Sequence, residues 1–312
     1  MVLPVAISVG LVVLGGIVWL ITPDDFNTGL AIAISVALLL FLLYWTRKEP
    51  LKQRFWALVF AIPALSGISF GLSNGRLTPI ILGFSLTILL LIAYRAVSIP
   101  VSYRFAVRQF EAGDDEKALE LVDKTIESRP DYWESYQLKA LIFLNQLDLP
   151  RAERAAKQAL EVNPQADFAY NTLGQIYLVQ ADFSAAEQTY IQAVELNPDH
   201  ALYWYHLGLC QYRLKAYETA VDSFQAATKR TPRILEYELL EYFYLWRCLQ
   251  ECGREDKAAE VQGKMQKFSE GLPLLQNQLA QQPDTPHLPF QQADMAELAT
   301  AVGQSGEVNS EQ

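Results

Sequence analysis

The sequence predicts an all-α protein in two parts: about four N-terminal transmembrane helices, followed by an α-solenoid of antiparallel helix pairs. Three observations carry that prediction. Four long apolar stretches crowd into the first 96 residues. Pro130, Pro164, Pro198 and Pro232 stand 34 residues apart, and Ala118, Ala152, Ala186 and Ala220 keep the same step. The charge is also unevenly divided: six bases and three acids precede residue 100, net +3, whereas 19 bases and 32 acids follow it, net −13.

At 312 residues with 51% hydrophobic and 19% charged residues, the chain has room for more than one domain. Its pattern divides it into a membrane part at 1–96, a repeat part at 99–272 and a tail at 273–312. The acidic balance excludes nucleic acid as a partner, because binding phosphate needs a concentrated basic surface.

The apolar stretches run over about 2–21, 28–45, 55–72 and 77–94. A helix of ~20 apolar residues crosses the ~30 Å hydrocarbon layer of a bilayer. The loops between these stretches are too short to cover them, so lipid is the partner that buries them. The first stretch lacks a basic leader and a small-residue cleavage signal, which predicts a retained span. Lys and Arg gather in "TRKEPLKQR", between the second and third stretches, while "TPDDFNTG" has none. By the positive-inside rule that loop is cytoplasmic. An even number of spans then places both termini and the repeats in the cytoplasm, or in the stroma of a plastid-type membrane, so the bilayer is a plasma or thylakoid membrane.

Numbered from Ile99, Trp133, Asp167 and Ala201, each 34-residue unit reads as a helix, a turn near position 15, a second helix and a proline at position 32. Proline ends the second helix because it has no N–H to donate. Small residues stand where the two helices must cross: Ala106, Ala140, Gly174 and Gly208 at position 8, and the four alanines at position 20. Bulky residues fill the space around them, among them Tyr136, Tyr170 and Trp204 at position 4, and Tyr190 and Phe224 at position 24.

"YNTLGQIY…AAEQTY…P" and "WYHLGLCQ…AVDSF…P" match the pattern W-x2-L-G-x2-Y…A-x3-F…P. On these residues the chain resembles the tetratricopeptide repeat family over about 99–272. A fifth, degenerate unit fits 239–272 once Leu235–Glu238 is counted as an insertion. Less faithful outer units suit the ends of a stack. With its N-terminal spans the chain is similar to membrane-anchored tetratricopeptide proteins of photosynthetic membranes, the kind that interact with protochlorophyllide oxidoreductase.

The resemblance implies a right-handed superhelix whose concave face holds a peptide or protein segment. The family's concave positions fall here on Tyr103, Gln137, Leu141, Phe168, Asn171, Gln175, Tyr205, Leu209, Tyr212 and Arg213, with Phe243 and Arg247 in the fifth unit. That row is apolar and aromatic with a polar rung in its middle. Such a row suits an amphipathic helix or an extended apolar segment.

No constellation for chemistry competes with this reading. His200, His206 and His287 have no Cys or carboxylate at recurring ligand spacing. Cys248 and Cys252 share a helix face, but Cys210 lies a unit away and a fourth ligand is lacking, so all three read as small packing residues. Neither a Gly-rich phosphate loop nor G-x-S-x-G occurs. The sequence therefore predicts no enzyme, no cofactor and no metal.

Beyond residue 272, Gln, Pro, Ser and acids predict a largely disordered tail. Two apolar fragments interrupt it: Leu272–Leu279, which suits a cap on the last repeat, and Leu288–Val302, which suits a short docking helix for the protein's own groove. The function these features predict is a membrane-anchored interaction scaffold that holds a client protein during assembly or biogenesis of a membrane complex. The alternative is a small transporter or lipid-handling subunit regulated by the repeats.

Overall fold

The 34-residue step of the sequence becomes a 34-residue step of helix pairs. A computed structural model describes residues 51–230 and 235–308, with a few positions between 34 and 40. Within it the chain separates into two compact units, Met1–Pro100 and Val101–Gln312. Every element described is helical.

In the first unit α1 spans Leu51–Phe60, α2 Ile62–Ser73 and α3 Leu77–Ser98. The sequence reads 55–72 as one span, but the structure breaks it at Ala61, immediately before a helix that carries Pro63 in its first turn. A proline there has no N–H for the preceding turn, and the helix restarts. Helices α2 and α3 form a hairpin in which Gly67 and Gly83 face one another. A Cβ on Gly67 would lie 2.4 Å from the Pro79 carbonyl oxygen, and one on Gly83 2.3 Å from that of Pro63. The amide of Ala64 donates to Thr87 Oγ1 across the hairpin at 3.0 Å. Among the described residues one helical stretch, Leu77–Tyr94, is long and apolar enough to cross a membrane; Leu58–Leu72 is apolar but shorter. The stretches at 2–21 and 28–45 lie outside the described residues, a few positions excepted.

In the second unit the first helices are α4 (Val101–Glu111), α6 (Trp133–Asn145), α8 (Asp167–Val179) and α10 (Ala201–Arg213). Their partners are α5 (Asp115–Ser128), α7 (Leu149–Val162), α9 (Phe183–Leu196) and α11 (Tyr217–Thr228). A fifth pair follows, α12 (Leu235–Glu251) and α13 (Glu255–Met265). The four extra residues of this pair lengthen its first helix by a turn: α12 has 17 residues where α10 has 13.

Each first helix ends in the same way. Position 15 takes the left-handed conformation in every unit, at Gly113, Leu147, Ala181, Lys215 and, after the insertion, Gly253. The next amide reaches back five residues to close the turn, as Asp148 N–H does to the Phe143 carbonyl at 2.9 Å and Asp182 N–H to that of Tyr177 at 2.9 Å. Asp114, Asp148 and Asp182 then cap the second helices, each carboxylate accepting a backbone N–H three residues on, as from Ala185 at 3.0 Å. Second helices end before Pro130, Pro164 and Pro198.

Helix crossings show how size is matched inside each unit. Alanine 106 and Ala140 at position 8 oppose Val122 and Ala156 at position 24, whereas Gly174 and Gly208 oppose Tyr190 and Phe224. A Cβ on Gly174 would stand 2.7 Å from the fully buried Tyr190 ring, and one on Gly208 3.0 Å from Phe224. The larger ring is accommodated because the facing position has no side chain. Alanines 118, 152, 186 and 220 are all fully buried on the other side of the crossing.

The tail departs from what its composition predicts. After a 3-10 turn at Gln266–Gly271 come α14 (Leu272–Ala280) and α15 (Leu288–Val308). Leu275, Leu298 and Ala301 join one continuous core with residues of α8 to α13. The polar-rich segment is ordered because its few apolar groups fall on one stripe and find a partner surface.

Gly174→Ala is expected to lower the thermal stability of the full chain by about 1–3 kcal/mol, since a packed core does not take an added methyl freely. Tyr190→Val added to it recreates the Ala106–Val122 pairing of the first unit. That double variant should melt above a Tyr190→Val single variant, the reverse of the effect of Gly174→Ala in the parent chain, and calorimetry of the four proteins checks the sign.

Candidate binding groove

First helices of successive units pack side by side, α4 on α6, α6 on α8 and α10 on α12, which makes them the inner row of the solenoid. The ten residues read from the sequence all lie on this row, but the structure divides them into two sets.

The set on α4, α6 and α8 is partly open. Tyr103 is half-buried and meets Tyr132 edge-on, ring centroids 5.1 Å apart. Gln137 ties its helix to the next: its Nε2 donates to the Phe168 carbonyl and to Thr172 Oγ1, both at 3.3 Å. Leu141 and Gln175 are half-buried. Phe168 is 51% exposed, with its ring set edge-on to His200. The Oδ1 of Asn171 is buried and has no hydrogen-bond partner among the described residues. An acceptor left in this condition costs free energy until a donor reaches it.

The set on α10 lies under the chain's own C-terminal helix. From the sequence, Tyr205, Leu209, Tyr212 and Arg213 are available to a client; in the structure α15 takes that place. Asp294 of α15 accepts from Arg213 through both terminal guanidinium nitrogens, at 3.1 Å from Nη1 and more closely from Nη2. The same carboxylate accepts from the Tyr244 hydroxyl at 2.5 Å. The side chains of Arg213 and Asp294 are only 7% and 10% exposed. The guanidinium lies between two rings, 5.5 Å from the centroid of Tyr212 and 5.3 Å from that of Phe290. One turn further along α15, Glu297 pairs with Arg247 of α12 at 2.8 Å.

Rings surround this pair. Tyr244 stacks on Phe224 at 5.5 Å and lies 5.3 Å from Tyr212 and 6.2 Å from Tyr205. Leu209 is buried in the same core as Leu298. At the near end of α15, Phe290 and His287 set their rings edge-on to Phe183 at 5.3 and 5.7 Å. Gln266 holds the far end through the carbonyls of Ala301 and Val302. The sequence reading anticipates a docking helix at 288–302 but not Asp294, Glu297 or Tyr244 as its anchors. Hydropathy cannot find a buried carboxylate; only the facing arginines mark it.

The surroundings move several titrations. Burial presses the His287 imidazole down to about 4, with Arg213 adding to the effect and Asp294 opposing it. His206 is pressed down to about 3, again mainly by burial. Burial also pushes the Tyr205 and Tyr244 phenols and the Glu297 carboxyl up. The Cys248 thiol is pushed up to about 12 by burial and by Cys252, far from a thiolate that could bind metal or attack. Among the described residues no three His, Cys, Asp or Glu side chains cluster to hold a metal.

The fold defines an α-solenoid of 34-residue helix pairs whose first helices form one row. The tetratricopeptide repeat family matches residues 171–233, the heart of that solenoid. No curated protein matches the chain. Among solved structures it is similar to MamA from Desulfovibrio magneticus RS-1, 19% identical with a TM-score of 0.49 over 55% of this chain and 94% of that one. It is also similar to YrrB, described as a TPR protein with an unusual peptide-binding site, at 18% identity and a TM-score of 0.47 over 54% of this chain and 84% of that one.

His287 yields a pH prediction. The folded chain keeps it neutral down to about 4, whereas in the unfolded chain it takes up a proton near the ordinary 6.5. Stability from this group is therefore complete above 6.5 and is lost as pH falls from 6.5 to 4. Melting curves of the full chain in detergent should move to lower temperature over that window, and His287→Gln should show a shallower fall than the parent.

Proposed function

We propose that this protein is a membrane-anchored interaction scaffold. The groove of α4, α6 and α8 binds a peptide or helical segment of a client protein, and the N-terminal part holds that groove at a bilayer during assembly or biogenesis of a membrane complex. The observation that carries the reading is the open half of the inner row. There a half-exposed Phe168, the aliphatic Leu141 and a polar rung of Gln137, Asn171 and Gln175 offer anchors and directional hydrogen bonds side by side.

The anchor rests on the hairpin of α2 and α3. Leu77–Tyr94 has 18 residues, about 27 Å of helix, and no Asp, Glu, Lys, Arg or His. Only 11% of it is buried, and Ile81, Leu82, Ile88, Leu89 and Ile92 are each more than half exposed. Water would penalise that surface and lipid accepts it. Close glycine packing with a threonine hydrogen bond between helices is how segments associate where there is no water to drive them together. A transporter would need ionisable groups inside the span; this stretch has none, which favours an anchor. The bases at 46–54 support a topology with that loop, both termini and the repeats on the cytoplasmic or stromal side of a plasma or thylakoid membrane.

Two measurements test the reading. A C-terminal reporter active only in the cytoplasm should work, and protease added to right-side-out vesicles should leave the repeats intact; their cleavage from outside overturns the topology. Phe168→Glu should reduce recovery of client proteins from mild detergent at least tenfold, about 1.4 kcal/mol, with an unchanged melting temperature. Equal recovery of every co-purifying protein would rule out the open groove as the binding site.

A further inference from the structure

The closed half of the groove carries information about the chemistry of its partners. Stripped of α15, the row formed by α10 and α12 would present two arginines, Arg213 and Arg247, set among Tyr205, Tyr212 and Tyr244. In a repeat region that is net negative overall, this is a local basic and aromatic site. Its resident occupant reads "FQQADMAEL": an aromatic at Phe290, a carboxylate four residues on at Asp294, a second at Glu297 and an aliphatic at Leu298. On a helix these four fall along one face. Each meets something built for it: Phe290 covers the Arg213 plane, Asp294 takes the guanidinium fork and the Tyr244 hydroxyl, Glu297 takes Arg247, and Leu298 is fully buried.

The geometry points to α15 as an exchangeable resident of a second binding site, whose other ligand is a partner's amphipathic helix carrying two carboxylates three residues apart behind an aromatic. Three observations favour exchange over permanent packing. Residues 281–284 and Pro286, which lead into α15, are exposed, so the segment joining this helix to α14 is not itself packed into the core. Its main polar contact is a buried ion pair, which contributes less to stability than well-packed apolar groups would, while strongly excluding an occupant without a carboxylate. The fit is also incomplete: Arg213 Nε is buried with no hydrogen-bond partner, and so is His287 Nε2. An occupant supplying one more acceptor near Arg213 would satisfy what α15 leaves unmet.

The tethered helix competes at high effective concentration, so a partner must bind more tightly than α15 or arrive when α15 is released. This inference rests on the scaffold reading but concerns a different half of the row. The Phe168 variant reports on the open half, and the following experiment on the closed one.

A protease site is inserted between Asp284 and Thr285 of the full chain, and the purified protein is cut in mild detergent. The fragment 285–312 then remains as a non-covalent ligand. A dye-labelled synthetic peptide of the same sequence should exchange with it, and the body should keep its helix content and cooperative melting while the site is emptied by washing. A peptide carrying Asp294→Asn and Glu297→Gln should compete at least tenfold less well, and Arg213→Gln with Arg247→Gln in the body should erase that difference. Failure to exchange, or collapse of the body on losing the fragment, would make α15 a fixed structural cap and overturn the proposal. Equal competition by the neutral peptide would overturn the carboxylate requirement.

Discussion

The close crossing of the two helices in each unit is the constraint on which the solenoid depends. At position 8 the chain holds only alanine or glycine in the first four units, and at position 20 only alanine. With that spacing fixed, the second helix of one unit can seat the first helix of the next, and the same step repeats. The inner row exists because the first helices are held side by side at a regular distance. Enlarging a crossing residue would therefore disturb a local pair and the alignment of groove side chains contributed by its neighbours. The exchange of volume between positions 8 and 24 shows the constraint acting as a sum: where Tyr190 or Phe224 fills the core, the facing residue gives up even its methyl.

Much of this was legible in the sequence because it is periodic. A proline, an alanine and a turn recurring every 34 residues fix helix ends and crossings without any knowledge of tertiary contacts. The left-handed residue at position 15 was legible as a turn but not as a conformation, since Leu147, Ala181 and Lys215 adopt it without being glycine. The turn is held by its backbone hydrogen bonds and, in the second and third units, by the following aspartate cap, which together outweigh the steric cost at one residue. The insertion at Leu235–Glu238 could be located but not interpreted; it proves to be one more turn of α12.

The tail was the least legible part, for a physical reason. Averaged over its length it is polar and proline-bearing, which is the composition of a chain unable to bury enough apolar surface to stay folded. Only two apolar residues of α15, Leu298 and Ala301, are buried in the core, with Met295 and Val302 packed beside them. The partners of α15 are an arginine fork, a tyrosine hydroxyl and an aromatic ring on helices far away in sequence, Tyr244 50 residues and Arg213 81 residues from Asp294, and no local pattern encodes such a match. The α10 residues read as groove lining lie under α15, and nothing local revealed what covers them.

Charge decides how such a groove selects. The repeat part and tail are net −13, so an acidic partner gains nothing from long-range attraction, and beyond ~8 Å at physiological salt neither sign of charge is felt strongly. The proposed selection would operate at contact, where Arg213 lies desolvated beside Tyr212 and a carboxylate is worth far more than in water. Under the exchange proposed above, the site would take up acidic helices slowly and distinguish them once they are seated. Its own acidic helix, held by a short tether, occupies the site and keeps the buried Arg213 guanidinium paired.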